Sequence, residues 1–204
     1  MDLFGQRNLG IVMALLLVAL VVVKRLASGS IFDKPQGGWL LQLVNIFNLF
    51  FLLVVNPLTA ALLIARRIEL IDATRIAIGT PWVWLALEII GLAAYVKGFL
   101  LMAWALVTLG RNYQLGGSAP REEDGMVTSG PYQLVRHPMY AAALAISLGL
   151  ACLTGSWAFL AVFFIYLALI IPLISREEKG LHDAYGERYD AYRQKVKKLI
   201  PFFY

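Results

Sequence analysis

The chain has 204 residues, 60% of them hydrophobic and only 15% charged, with a mean hydropathy of +0.71. A water-soluble domain is nearer half apolar and a quarter charged; here the excess sits in long uncharged runs, which excludes an ordinary soluble fold and points to one membrane domain. The formal net charge of +5 would suit nucleic acid in a soluble protein, but these basic residues flank apolar runs, where anchoring and orientation explain them better.

Crossing a bilayer takes about 20 apolar residues at 1.5 Å each. The first run, residues 9–23, closes on Lys24 and Arg25. It is too long for a signal-peptide core and no small-residue cleavage site clearly follows, so a mature helix is expected. The second run, residues 39–65, closes on Arg66 and Arg67 and carries Asn56-Pro57 inside, where a kink or a break into a hairpin is expected. The third, residues 82–109, opens on Thr80-Pro81, a cap followed by proline at the first helical position. It holds Glu88 and Lys97, which read more simply as an interfacial carboxylate and a snorkelling lysine than as functional groups.

A polar, Gly-rich connector, residues 110–137, follows. The fourth run, 138–153, is short, and the turn Thr154-Gly155-Ser156 joins it directly to the fifth, 157–174, as a helical hairpin. Cys152 is the only cysteine, so no internal disulfide is possible and apolar packing is its expected role. From Ser175 the chain turns polar and basic, and Leu181, Tyr185, Tyr189, Tyr192 and Val196 recur at helical spacing, as in an amphipathic helix lying at the membrane surface. No metal-ligand spacing is present.

The expected architecture is an all-α integral membrane protein with about five transmembrane helices. Residues 1–109 hold three of them, and 110–204 hold the connector, the hairpin and the C-terminal helix. With five spans and a cytoplasmic C-terminus, thirteen Lys and Arg fall on the cytoplasmic side and four on the other, which favours that orientation. Connector and tail then share the cytoplasmic face, where they can build one site. If the second run were a broken hairpin, the N-terminus would move to the cytoplasmic side.

The connector ends Val127-Thr-Ser-Gly-Pro-Tyr-Gln-Leu-Val-Arg-His-Pro-Met-Tyr140. Gly130-Pro131 sets a turn and Pro138 starts a helix whose free N–H groups, beside Arg136 and His137, suit a carboxylate. Tyr132 and Tyr140 offer aromatic faces to a cation. A basic and aromatic interfacial belt accounts for the same residues equally well. In the tail, Glu177-Glu178 at a helix C-terminus calls for a cationic partner from protein or ligand, though a solvated ladder with Arg176 and Lys179 is the simpler reading.

These segments resemble the isoprenylcysteine carboxyl methyltransferase family and its bacterial and archaeal relatives, which include phospholipid N-methyltransferases. The likeness covers about residues 110–201 and rests on Val127 to Tyr132, on Arg136-His-Pro-Met-Tyr140, and on Glu177-Glu178 with Leu181, Tyr185-Gly186, Tyr189, Tyr192 and Leu199-Ile-Pro201. It implies methyl transfer from S-adenosylmethionine, leaving S-adenosylhomocysteine. It also implies that Asp124, Gly125, Met126, Val127, Tyr132, His137, Pro138, Met139, Tyr140 and Glu177 line the cofactor, with Gln114 joining them. Glu177 would take the cofactor's amino group; Arg136, His137 and Tyr140 would carry the reaction, and Arg176 would stand near the acceptor. Eukaryotic members place an acceptor-binding arginine one turn before the glutamate pair, where this chain has Leu173.

The implied reaction is methylation of a lipid-tailed acceptor entering from the bilayer, most like a protein-S-isoprenylcysteine carboxyl group. The alternatives are a phospholipid or amine N-methyltransferase, or an NADPH-dependent sterol-type reductase, whose terminal Ile-Pro-aromatic pattern is similar; a non-catalytic membrane subunit would leave the polar cluster idle. No nucleic-acid partner is expected. The membrane would be the inner membrane of a prokaryote or the endoplasmic reticulum of a eukaryote.

Overall fold

A computed structural model describes residues 4–29, 38–70, 74–76, 80–112 and 125–201. The helices are α1 (Gln6–Ser28), α2 (Trp39–Phe50), α3 (Asn56–Ile64), α4 (Pro81–Leu109), α5 (Pro138–Thr154), α6 (Trp157–Tyr185) and α7 (Glu187–Lys195). Among the described residues there is no strand, only two isolated bridges, Arg75 with Ser156 and Val135 with Lys197. Four stretches are long and apolar enough to cross a membrane: Gln6–Ser28, Leu41–Ile64, Pro81–Leu109 and Trp157–Tyr185. This is an integral membrane protein. The fifth expected helix, α5, has 17 residues, about 25 Å of rise against a hydrocarbon core of about 30 Å.

The second apolar run is one continuous span. A π turn, Phe51–Val55, joins α2 to α3. Pro57 has no N–H and its ring crowds the preceding turn, and the wider π spacing accommodates both. The Asn56 N–H donates to the Phe51 carbonyl, five residues back. The Asn56 side chain donates Nδ2 to the same carbonyl at 2.9 Å, and Tyr95 Oη on α4 donates to Asn56 Oδ1 at 2.8 Å. The break expected at Asn56-Pro57 is therefore a bulge, held shut by polar groups buried in the bundle.

α4 and α5 pack so closely that their glycines set the distance. A Cβ on Gly149 would lie 2.7 Å from the Tyr95 backbone nitrogen and 2.8 Å from the Gly91 carbonyl oxygen. Small residues let membrane helices approach backbone to backbone, where van der Waals contact replaces the missing hydrophobic drive. α1 closes the same core, with Met13 and Leu17 against Tyr95, Phe99 and Leu150. Glu88 is buried on α4 and Lys97 is exposed. Thr80 does precede Pro81 at the start of α4, but its side chain makes no capping hydrogen bond.

At the end of the bundle where α5 turns into α6, residues 74–76 staple the hairpin. Ile76 N–H donates to the Gly155 carbonyl at 2.7 Å, and Trp157 N–H donates to the Thr74 carbonyl at 3.1 Å.

The tail corrects one expectation. The fifth apolar run does not end before a separate surface helix; α6 runs unbroken from Trp157 to Tyr185, through Pro172 and the glutamate pair. It stops only at Gly186, whose φ of 54° opposes helix continuation, and α7 follows. Glu177 and Glu178 thus stand inside the helix, about two turns before its end and outside its last turn, so the unfavourable dipole argued for them does not arise. After α7 the chain lies beside the end of the connector: Arg136 N–H donates to the Lys197 carbonyl at 2.7 Å and His137 N–H to that of Lys198 at 3.0 Å.

Candidate functional site

The site forms where three segments meet: the connector's end, the polar extension of α6, and the chain after α7. Gly130 places the first of these. Its φ of 57° suits glycine, and a Cβ there would lie 2.7 Å from Thr108 Oγ1 on α4. The turn Gly130–Gln133 is thereby seated on the end of α4. Tyr132 follows, and its carbonyl accepts a 2.6 Å hydrogen bond from Tyr192 Oη on α7. Burial pushes the Tyr192 phenol up to about 12, against the opposing pull of the Arg136 charge.

Arg136 and His137 converge on Glu178. Arg136 donates Nε and Nη2 to one oxygen, Oε1, at 2.9 and 2.6 Å. Its Nη1 donates to the carbonyls of Arg193, at 3.0 Å, and Val196. The other Glu178 oxygen lies 3.6 Å from Lys198 Nζ. Arg136 thus serves acceptors of the protein itself, and the expectation that its guanidinium is free for a ligand carboxylate is corrected. The cause is where the chain folds back: the end of α7 and the residue after it, whose positions no motif announces, bring the carbonyls of Arg193 and Val196 against it.

His137 caps α5 and is 4% exposed. Its Nε2 lies 3.2 Å from Glu178 Oε1, which fixes a proton on Nε2. Its Nδ1 lies 3.7 Å from Glu177 Oε2. The Tyr140 ring stands 5.8 Å from the imidazole, tilted by 32°. Pro138 is buried at the helix start, and Met139 packs into the core between α1, α4 and α5. At a helix start the first N–H groups have no helical acceptor, and that of Met139 lies beside His137.

Two buried polar atoms here lack a hydrogen-bond partner among the described residues: Glu177 Oε2 and Tyr189 Oη. The Tyr189 phenol is shifted upward by burial and then by the nearby Glu178 carboxylate. An unsatisfied buried carboxylate oxygen next to a histidine is a ready acceptor for a cation, and a buried phenol is a donor.

Gly125, Met126 and Val127 lead into the Gly130 turn as irregular chain, Gly125 exposed and the others partly buried. Arg176 is exposed and is not drawn into the cluster. Gln114 and Asp124 lie outside the described residues. Sequence reasoning missed Tyr189 and Lys198 as site residues. Tyr189 was visible as one of several helically spaced aromatics and as one of the residues that carry the resemblance, with no role assigned, and Lys198 as one of several tail cations.

Comparison with known proteins gives this geometry a family. A protein-S-isoprenylcysteine O-methyltransferase of Arabidopsis thaliana, form B, is 33% identical over 117 residues, 55% of this chain and 58% of that one. The cobalt-zinc-cadmium resistance protein CzcN of Cupriavidus metallidurans is 34% identical over 102 residues, 50% of this chain and 47% of its own. The chain thus spans about half the length of the curated relatives it matches. Among solved structures, the eukaryotic intramembrane Ras methyltransferase ICMT (isoprenylcysteine carboxyl methyltransferase) superposes with a TM-score of 0.58. The match is at 22% identity and covers 94% of this chain and 64% of the other; at that identity it speaks for the fold. The sequence pattern of the family described as phospholipid methyltransferase matches residues 87–188, from mid-α4 through the hairpin to the first residues of α7. With half of its length under that pattern, the chain belongs to the phospholipid methyltransferase family, in company with the isoprenylcysteine methyltransferases.

Proposed function

We propose that this protein transfers a methyl group from S-adenosylmethionine to a lipid-tailed acceptor at the membrane, with the carboxylate of a prenylated cysteine as the favoured acceptor. The observation that carries the reading is the orphaned Glu177 oxygen beside His137. Bound S-adenosylmethionine supplies an ammonium, a carboxylate and an electrophilic sulfonium methyl. Glu177 Oε2 accepts from the ammonium. Tyr189 Oη, buried and without a partner among the described residues, and the Met139 N–H at the start of α5 suit the carboxylate. Tyr132 and Tyr140 present faces to the sulfonium.

The reaction is an in-line displacement. The acceptor oxygen forms a bond to the methyl carbon, the carbon–sulfur bond breaks, and its electron pair stays on sulfur as the cation becomes a neutral thioether. No covalent protein intermediate is needed, and a carboxylate acceptor has no proton to lose. The work of the residues is positioning and exclusion of water. The polar ends lie together at one end of the bundle, which suits a site open to a soluble cofactor on one side and to the bilayer on the other. The basic bias of the sequence assigns that end to the cytoplasm.

The test is calorimetry with the purified chain in detergent. Micromolar-order binding of S-adenosylmethionine is expected. Binding of NADPH in its place would overturn the reading in favour of a reductase. Labelled methyl transfer into a prenylcysteine analogue and into a lipid extract then separates base-labile carboxyl esters from base-stable N-methyl products.

A further inference from the structure

Asn45 lies on α2, far in sequence from the family pattern, and is 5% exposed. Its Nδ2 is buried with no hydrogen-bond partner among the described residues. The two other asparagines of this span are served: Asn48 by Tyr166, and Asn56 by the Phe51 carbonyl and Tyr95. An unmade hydrogen bond of a buried amide costs about 1–3 kcal/mol, and polar groups kept at membrane depth mark ligand paths.

The surroundings connect Asn45 to the site. Leu41 and Val44, on the same face of α2, belong to one apolar cluster with Ile170, Ile174 and Leu199, and Tyr140 packs against it. Ile174 is one turn before the glutamate pair, Leu199 follows Lys198, and Tyr140 stands against His137. The seam where α2 packs on α6 therefore leads towards the reacting end. Leu173 is buried in the same cluster, so a head group finds no cation there.

We infer that Asn45 is an acceptor-binding residue, whose amide N–H₂ donates to an anionic head-group oxygen of a lipid-tailed substrate seated between α2 and α6. The oxygen belongs to a prenylcysteine carboxylate or to a phospholipid phosphate. The inference rests on the methyltransfer reading for its purpose but is measured apart from it. The donor is a neutral amide, so recognition is by geometry more than by charge.

The test measures binding of three probes to the full chain in detergent: S-adenosylmethionine, N-acetyl-S-farnesylcysteine and a short-chain phosphatidylethanolamine. Asn45→Leu is expected to weaken one tailed probe about tenfold, to leave S-adenosylmethionine within about twofold, and to keep or raise the melting temperature, because it removes an unpaired polar group. Asn45→Gln should recover part of the loss. Which tailed probe responds identifies the oxygen. The inference is overturned if Asn45→Leu binds both tailed probes as the unsubstituted chain does, if the unsubstituted chain binds neither, or if the substitution lowers the melting temperature and weakens all three probes together. Failure of the methyltransfer reading appears elsewhere, as absent S-adenosylmethionine binding by the unsubstituted chain, and the tailed probes still decide Asn45.

Discussion

Arg136 and Glu178, 42 positions apart, share a single carboxylate oxygen between two guanidinium donors, at 2.9 and 2.6 Å. The side chains are 8% and 14% exposed. The pair joins the connector to α6, and Nη1 of the same arginine gathers the end of α7 and the chain just after it. One guanidinium therefore holds three segments together.

Removing it should unfold the site. Breaking one partner of a buried pair costs about 3–5 kcal/mol, because the other charge is left behind. Arg136→Ala is expected to lower the melting temperature in detergent clearly. Arg136→Lys should not rescue it, since an ammonium cannot reach one carboxylate and two carbonyls in a fixed fork. Retention of the unsubstituted melting temperature by Arg136→Ala would show that the tie is dispensable.

Glu177→Gln should behave oppositely. The Glu177 oxygen has no protein donor to lose, so the fold should melt as before. A hydrogen bond to a charged group contributes about 1.5–3 kcal/mol, so affinity for S-adenosylmethionine should fall about 10- to 100-fold by calorimetry. Unchanged affinity would remove Glu177 from the cofactor's amino group.

The π turn makes a third prediction. Tyr95→Phe leaves Asn56 Oδ1 without its donor inside the bundle, at a cost of about 1–2 kcal/mol in thermal or denaturant unfolding. Asn56→Ala should cost at least as much, and the double substitution should cost less than the two added together, because both act on one bond. Strict additivity would deny the coupling.

Alkaline pH should loosen α7. The Tyr192 phenol sits at about 12, above its ordinary 10.0. A raised value means that the Tyr192–Tyr132 tie is complete below pH 10 and is lost as pH climbs through 12. Melting temperatures between pH 8 and 11.5 should fall for the unsubstituted chain more than for Tyr192→Phe. Identical slopes would place the titration elsewhere.

Much of this was legible in the sequence. Lys24-Arg25 and Arg66-Arg67 marked helix ends, and the turn at Gly155 marked a hairpin, because a bilayer penalises charge inside and unpaired backbone anywhere. Arg136, His137 and the glutamate pair were expected to meet, and they do. The partnership of Arg136 was not legible: it depends on where the chain after α7 returns, and no local preference sets that. The continuity of α6 was hidden because residues 175–185 look alike whether a helix restarts or continues. The orphaned amide of Asn45 was invisible, since an asparagine in an apolar run says nothing of which neighbour it lacks.

The unbroken α6 has one more consequence. A single rod is embedded in hydrocarbon over most of its length and bears Glu177 and Glu178 near its far end. Those carboxylates therefore stand at a fixed height above the lipid tails, set by how many apolar residues precede them. The molecule carries its own depth gauge, and only a polar group that floats at that level can meet it.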